Sequence, residues 1–450
     1  MSDGPVTLSR VAREAGVSLA TASRAINGSA TRTVRPELRD RVLAAAQRLG
    51  YVPDPSAQAM ARGRTAALGL VVHDIADPYF SAIASGVTRA AENQGLIVTL
   101  ASTELRPDRE RAFVELVRRQ RGRAVILAGS RTVPDGAAPT VEDAESSGET
   151  SGPGATVASS EDLASALTAF RESGGGVATI GQAIGSLPVV EIDNAGGAAA
   201  LARELHGLGY RRFGVLSGPP GLRTAADRTA GFRDALASLG STVRDDDVVA
   251  GEFTRDGGYA AMAHLIARSG RGEADGTLLD PGSDKAGRGG ARAADAGGRT
   301  VGGEPAMRDQ PATGGGPGLP ELVFAVNDVM AVGAMAAVRD AGLGVPDDVA
   351  VAGFDDIPTL RDVTPALTTV HIALERIGEA ATHLALGEPT GLEPTPATGT
   401  EASEAGTGAT ETGTGATEAG TAATEGLEAT APGSITVRGE VILRASTPGP

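Results

Sequence analysis

From Ala67 onward the chain alternates short apolar runs with amphipathic stretches, and this alternation restricts the fold more than any other feature. The runs are Leu68–Val72, Ile97–Ala101, Ala124–Ala128, Val177–Ile180, Val189–Ile192, Phe213–Ser217, Val248–Gly251, Leu322–Val326 and Val349–Gly353. Between them, helical spacing marks about 78–94, 107–121, 160–172, 195–208, 225–239, 257–269 and 328–341. Strands apolar on both sides need cover on both faces, which parallel strands receive from the helices that connect them. The expected body is therefore α/β: two doubly wound parallel-sheet lobes, one after the other, with a last strand at Ile435–Ala445. Three stretches interrupt the pattern, at about 132–158, 270–319 and 388–433, rich in Gly, Ala, Thr, Ser, Pro and Glu. In the third, Gly406–Glu411 and Gly413–Glu418 both read GTGATE with no apolar seam. Such segments bury too little apolar surface to offset ordering entropy and are expected to be disordered insertions.

Residues 1–65 differ in kind. Leu8, Val11, Ala12 and Ala15 fall on one face of a helix that Thr7 can cap. Gly16 suits a left-handed turn, Val17 fills the angle, and Ser18 is a good cap for a second helix to about Asn27-Gly28. Ala22, Ala25 and Ile26 of that helix face inward, leaving Leu19, Ala20, Thr21, Ser23, Arg24 and Asn27 outward. A third helix starts near Pro36, presents Val42, Ala46 and Leu49, and stops at Gly50. Beyond Tyr51-Val52-Pro53, Asp54–Arg62 can form a helix too short to stand without a partner.

Charge divides the chain at the same place. In residues 1–65 ten arginines stand against Asp3, Glu14, Glu37, Asp40 and Asp54, a charge of +5, so the remainder carries −21 of the total −16. A basic head on an acidic body is a pointer to nucleic acid. The length of 450 residues allows two to four domains. With no cysteine and five histidines, disulfides, thiolate nucleophiles and thiolate metal sites are excluded, and neither cofactor nor metal is expected. No apolar run is long enough to span a bilayer, and Met1–Pro5 does not open a secretory signal, so a cytoplasmic location is expected.

The series Thr7-Leu8, Val11-Ala12, Ala15-Gly16-Val17-Ser18, Thr21, Ser23-Arg24, Asn27 resembles, residue for residue, the lactose-repressor (LacI/GalR) family of bacterial transcription regulators. The likeness continues through Tyr51-Val52-Pro53 and Ala57–Thr65. In the body it extends to Asp193-Asn194, Leu208-Gly209-Tyr210, Arg228–Phe232, Asn327-Asp328, Met330-Ala331, Gly333 and Gly353-Phe354-Asp355-Asp356. The resemblance implies a small all-α helix-turn-helix head at 1–53, a hinge helix and linker at 54–66, and a body at 67–450. That body would consist of two lobes of periplasmic-binding-protein type that bind an effector and dimerise.

By the same resemblance the second helix enters the major groove. Leu19 and Ala20 occupy the base-reading positions, where they can touch a thymine methyl, and Arg24 is expected to reach a guanine. Thr7, Ser18, Thr21, Ser23 and Asn27 would hold phosphates or fix register. Ala59 and Met60 fall in the hinge, Met60 at a wedge position usually held by leucine. Effector contacts implied in the cleft are Tyr79, Phe80, Arg228, Phe253, Asn327 and Asp355, whose chemistry suits a sugar. Aromatic rings stack on its apolar face, while arginine, amide and carboxylate pair with its hydroxyls.

These readings make the chain a homodimeric, sugar-responsive repressor binding a palindromic DNA operator. The alternative is a solute-binding module of the periplasmic sugar-binding type without a regulatory role, which leaves residues 6–62 unused. Catalysis is not expected: no Walker-type loop occurs, and the adjacent carboxylates Asp355 and Asp356 should point opposite ways.

Overall fold

A computed structural model describes residues 6–27, 33–52, 63–131, 153–270, 318–390, 427–431 and 433–450. The head contains α1 (Leu8–Glu14), α2 (Leu19–Asn27) and α3 (Pro36–Leu49). Its buried core is Val11, Ala12, Ala15, Ala22, Ala25, Val42 and Ala45, with Ile26, Ala46 and Leu49 packed at the margin. Mostly alanine, this core lets three short helices approach closely. Gly16 takes φ +63° between α1 and α2, and Gly50 takes φ +65° where α3 stops, both left-handed conformations that glycine adopts without strain. The Ser18 Oγ accepts the Thr21 N–H at 3.1 Å. Thr7 holds the cap position of α1, but its side chain makes no capping bond.

The body follows as β1 (Ala67–Val72), α4 (Pro78–Asn93), β2 (Ile97–Ser102), α5 (Pro107–Arg119), β3 (Ala124–Ala128), α6 (Pro153–Glu172), β4 (Gly176–Gly181) and β5 (Val189–Ile192). Next come α7 (Asn194–Gly207), β6 (Phe213–Leu216), α8 (Arg223–Ser238), β7 (Val248–Val249), α9 (Arg255–Arg268), β8 (Leu322–Ala325), α10 (Asp328–Asp340) and β9 (Ala350–Ala352). The chain ends through β10 (Thr369–His371), α11 (Leu374–Leu386), β11 (Leu427–Ala431), β12 (Ser434–Val437) and β13 (Glu440–Ile442). A seven-stranded sheet runs β11-β12-β5-β4-β3-β1-β2, a four-stranded sheet runs β7-β6-β8-β9, and β10 and β13 form a separate antiparallel pair. The two larger sheets are parallel except for the β11–β12 pair. In the first sheet Leu68, Leu70, Val72 and Ile126 face one core. Val71, Val125, Leu127 and Val177 face another, together with Leu167 and Phe170 of α6. Both faces are covered, as uninterrupted apolar strands require.

Two doubly wound lobes are present, but they are not consecutive. The chain leaves the first lobe after β5 and builds the second, then returns with α11, which packs on α4 and β4. It adds β12 beside β5 and crosses once more to pair β13 with β10. The single strand expected at Ile435–Ala445 is therefore two, belonging to different lobes, with the turn near Gly439 between them. A Cβ there would lie 2.3 Å from the Val370 side chain. β11 lies inside the stretch read as an insertion at 388–433, and α6 begins at Pro153, inside the one read at 132–158. The remainder of those two stretches, and nearly all of 270–319, lies outside the described residues.

Three helix pairs meet through glycines. A Cβ on Gly86 of α4 would sit 1.9 Å from the Glu375 carbonyl oxygen, and one on Gly378 of α11 would sit 2.2 Å from that of Ile83. Gly231 of α8 faces the Ala195 carbonyl in the same way, and in the α9–α10 pair Gly258 faces Met330 and Gly333 faces Arg255.

Candidate functional site: the interlobe cleft and the helical head

The carboxyl ends of the parallel strands of the two lobes face each other across a cavity of about 270 Å³. This is where open α/β sheets place ligands. Tyr79, Phe80, Arg228, Phe253, Asn327 and Asp355 all line it. Tyr79 and Phe80 open α4, their rings edge-to-face with centroids 5.0 Å apart. Asp77 caps that helix by accepting the Tyr79 N–H at 2.9 Å. Asn327 caps α10, its Oδ1 accepting the Met330 N–H at 2.9 Å, which leaves its amide nitrogen as the remaining donor.

Arg228 organises the cleft. It is 2% exposed, and its guanidinium lies 3.8 Å from the centre of the Phe354 ring. Nε donates to Asn194 Oδ1, Nη1 to the Val326 carbonyl and Nη2 to Asp355 Oδ1, each at 2.8 Å. Of five guanidinium N–H groups, two remain for a ligand. Asp355 has φ 113°, and Asp356 φ 53°. Asp355 turns to Arg228, whereas Asp356 turns away to His371 at 3.0 Å and Arg444 at 2.7 Å. The two neighbouring carboxylates do point apart. Burial raises the Asp355 carboxyl above the ordinary aspartate value, with Arg228 opposing it. For Asp356 burial also acts upward, but hydrogen bonds from His371 and Arg444 prevail and hold it low. Behind them, fully buried Asp328 accepts from Thr369 Oγ1 at 2.6 Å and from the Ile357 N–H at 2.9 Å. A Cβ on Gly353 would fall 2.2 Å from its Oδ1, so the Gly353–Asp356 turn requires glycine at its start.

Sequence reasoning left several lining residues unassigned. His73 follows the first strand. Burial, reinforced by Arg131, lowers its pKa to about 3, so the imidazole is neutral, and its Nε2 lies 3.7 Å from Glu110 Oε1. Ser130 joins the lobes: its Oγ accepts from the Thr224 N–H at 3.1 Å and from Gln182 Nε2 at 3.2 Å. The Arg223 N–H donates to the Arg131 carbonyl at 3.1 Å alongside. Asp77, directly before Pro78, could have been found from the Asp-Pro pair, a start signal for a helix.

Burial, opposed by the Tyr79 N–H bond and reinforced by Asp355, pushes Asp77 up to about 6. Between the ordinary aspartate range and that value the folded protein keeps a proton that the unfolded chain has released. Stability therefore falls as pH rises through the window. Asp77→Asn retains a capping oxygen and carries no charge. It is expected to flatten the pH dependence of thermal unfolding between about pH 4 and 6 and to stabilise the protein at pH 7 by about 1–2 kcal/mol. A variant that stays as pH-sensitive as the parent would contradict this.

In the head, α2 turns its polar edge outward. Leu19 is 51% exposed, and Ala20 is exposed beside it. Ser18 Oγ and Thr21 Oγ1 lie 2.9 Å apart, and Asn27 Nδ2 donates to Ser23 Oγ at 3.3 Å. Arg24 Nε donates to the Ala20 carbonyl at 3.0 Å, a bond to be exchanged if the side chain extends. Ala59 and Met60 lie outside the described residues. Among the described residues no helix is long and apolar enough to cross a membrane, and no group of three or more His, Asp or Glu could hold a metal ion.

Residues 7–54 match the profile of bacterial regulatory proteins of the lacI family, and residues 202–402 that of a periplasmic binding protein-like domain. The chain is 28% identical over 383 residues to the HTH-type transcriptional regulator GalS of Salmonella typhimurium, covering 85% of this chain and 89% of that protein. It is 28% identical over 377 residues to the HTH-type transcriptional repressor PurR of Proteus mirabilis, covering 83% and 88%. Among solved structures, the lac repressor dimer bound to operator and the anti-inducer ONPF superposes with a TM-score of 0.64 at 18% identity over 98% of this chain and 99% of that one. The CelR–cellobiose complex gives 0.53 at 24% identity, covering 98% and 99%. With its helical head, its two parallel-sheet lobes and the cleft between them, the chain belongs to the lacI family of bacterial regulatory proteins and is a DNA-binding transcriptional regulator with a periplasmic-binding-protein-like ligand domain.

Proposed function

We propose that this regulator represses transcription as a homodimer on a palindromic operator and that a small neutral sugar in the interlobe cleft changes its affinity for DNA. The observation that carries the reading is that Tyr79, Phe80, Arg228, Phe253, Asn327 and Asp355, distant in sequence, line a single cavity between the lobes. Three aromatic rings, the spare N–H groups of a pinned guanidinium, an amide and several carboxylates can sandwich a pyranose and address its hydroxyls in pairs. A related regulator solved with cellobiose and another from Enterococcus faecium solved with ribose support the ligand class. The lac repressor structure, a dimer on operator, supports the assembly. The alternative of a solute-binding module finds no support in a chain with a lacI-family head.

On the operator, Arg24 releases the Ala20 carbonyl and donates to a guanine edge. Leu19 and Ala20 pack on thymine methyls, and Thr7, Ser18, Thr21, Ser23 and Asn27 hold phosphates. Ala59 and Met60 act from the hinge in the minor groove. No residue is assigned a catalytic role. The test uses a duplex selected by the full chain from a random library. Arg24→Ala is expected to weaken binding to it by about 1–3 kcal/mol and to relax one base position. An unchanged affinity and footprint would remove Arg24 from base reading.

A further inference from the structure

The densest run of arginines outside the head is Arg118-Arg119-Gln120-Arg121-Gly122-Arg123, in a body whose net charge is negative. Its position is set by the backbone. The Thr65 N–H donates to the Arg121 carbonyl at 2.9 Å, and the Arg123 N–H to the Ala67 carbonyl at 2.7 Å. This loop is therefore fastened to the segment by which the chain enters the body from the head. Arg64 fixes it further, donating to the Gly122 carbonyl at 3.0 Å and to the Ser173 carbonyl. Arg171, at the end of α6, stands beside it, and a hollow of about 340 Å³ opens between Arg123 and Arg171 over Gly174 and Gly175.

Arg118, Arg121, Arg123 and Arg171 are all exposed. Among the described residues none of the four makes an ion pair, whereas Arg119 reaches Glu115 at 3.7 Å. Of nearby carboxylates, Glu115 is engaged by Arg111 and Arg119, and Glu388 by His383 and Gln94. Burial and repulsion from Arg123 hold Arg64 below the ordinary arginine value, as expected where positive charge is not neutralised. Arg118 and Arg171 also complement helix carboxyl ends, but Arg121 and Arg123 lie in the loop beyond α5 and serve no helix end.

Residues 53–62 are all that separate the head from this edge. At roughly 3.3–3.6 Å per residue they keep the two within about 40 Å. A duplex held by the head must pass within that reach, and its phosphates are the densest negative charge available there.

We propose that Arg121, Arg123 and Arg171 form a second, sequence-independent DNA contact that engages the phosphate backbone flanking the site read by the head. The proposal rests on the DNA-binding reading of the head and adds a surface on the body. It is tested with the full chain and a 40-base-pair duplex of mixed sequence, by measuring affinity between 50 and 200 mM salt. The triple variant R121A/R123A/R171A should bind at least tenfold more weakly at 50 mM. The slope of log affinity against log salt should be shallower by about 1–3. The triple lysine variant should keep most of the slope, because charge and not fold carries the contact. Because all three side chains are exposed, thermal unfolding of the alanine variant should match that of the parent. A parent chain that binds duplex with the same slope as the alanine variant would overturn this proposal alone. A parent that binds no duplex would overturn the reading of the head as well. Unchanged DNA binding with lost binding to polyglutamate would assign the edge to an acidic protein partner and overturn the DNA contact.

Discussion

Replacing Arg228 by alanine is expected to abolish sugar binding and to cost about 3–5 kcal/mol of stability, the largest single effect anticipated for a side chain in the cleft. Both members of the Arg228–Asp355 pair are almost fully buried, at 2% and 4% exposure. Truncation leaves Asp355 buried without its cation, at a position where burial already disfavours its charged form. It also frees Asn194 Oδ1 and the Val326 carbonyl, two acceptors that must then find water or remain unpaired. The double variant R228M/D355L separates the two consequences. Removing both charges together should restore most of the stability, because a buried ion pair contributes little net energy against apolar residues of similar size. Sugar binding should stay lost. The measurements are thermal unfolding and calorimetric titration with whichever sugar raises the parent's Tm. Parent-like affinity in R228A would remove Arg228 from the site.

Gly333→Val should unfold the second lobe's helical layer. The Cβ would lie 1.9 Å from the Arg255 carbonyl oxygen. What it meets is backbone and not the end of a flexible side chain, so α9 and α10 must separate along their whole contact. The cost should reach about 3 kcal/mol or more, a fall in Tm of roughly 6–12 °C for a unit of this size. Gly207→Ala is the control. An added Cβ there meets nothing within 4 Å and φ is ordinary, so the change should be neutral or slightly stabilising through helix propensity. Equal unfolding temperatures for the two variants would show that the close approach does not matter.

Much of this architecture was readable because it rests on local rules. Apolar runs such as Leu68–Val72 and Ala124–Ala128 had to be doubly covered strands, and the Pro78 and Pro107 starts and the Gly16 and Gly50 turns follow from backbone stereochemistry. What escaped was long-range. Thr369–His371 is only three residues long, and its strand character comes from pairing with Glu440–Ile442, far along the chain. Leu374–Leu386 has clear helical spacing but breaks the strand–helix alternation, because it returns to the first lobe. The three crossings, and so the non-consecutive lobes, leave no periodic signature. In the cleft, the resemblance indicated which residues converge, and the structure adds why Gly231, Gly333 and Gly353 accompany them. Each stands where a side chain would meet a carbonyl or a carboxylate. His73 and Ser130 were missed because their roles depend on neighbours from other strands, which spacing does not encode, whereas Asp77 carried a local cap signal and only its place in the cleft was hidden.

The central claim is that one chain joins a duplex-reading head to a sugar-holding cleft and that each site senses the other. The most direct measurement is the affinity of the full chain for its selected duplex, by fluorescence anisotropy, with and without a saturating cleft sugar, alongside the affinity for that sugar with and without the duplex. The account predicts that both affinities change by the same factor, about 5–150-fold, and that R228A abolishes the change. Duplex affinity that is identical with and without a sugar proven to occupy the cleft would contradict it.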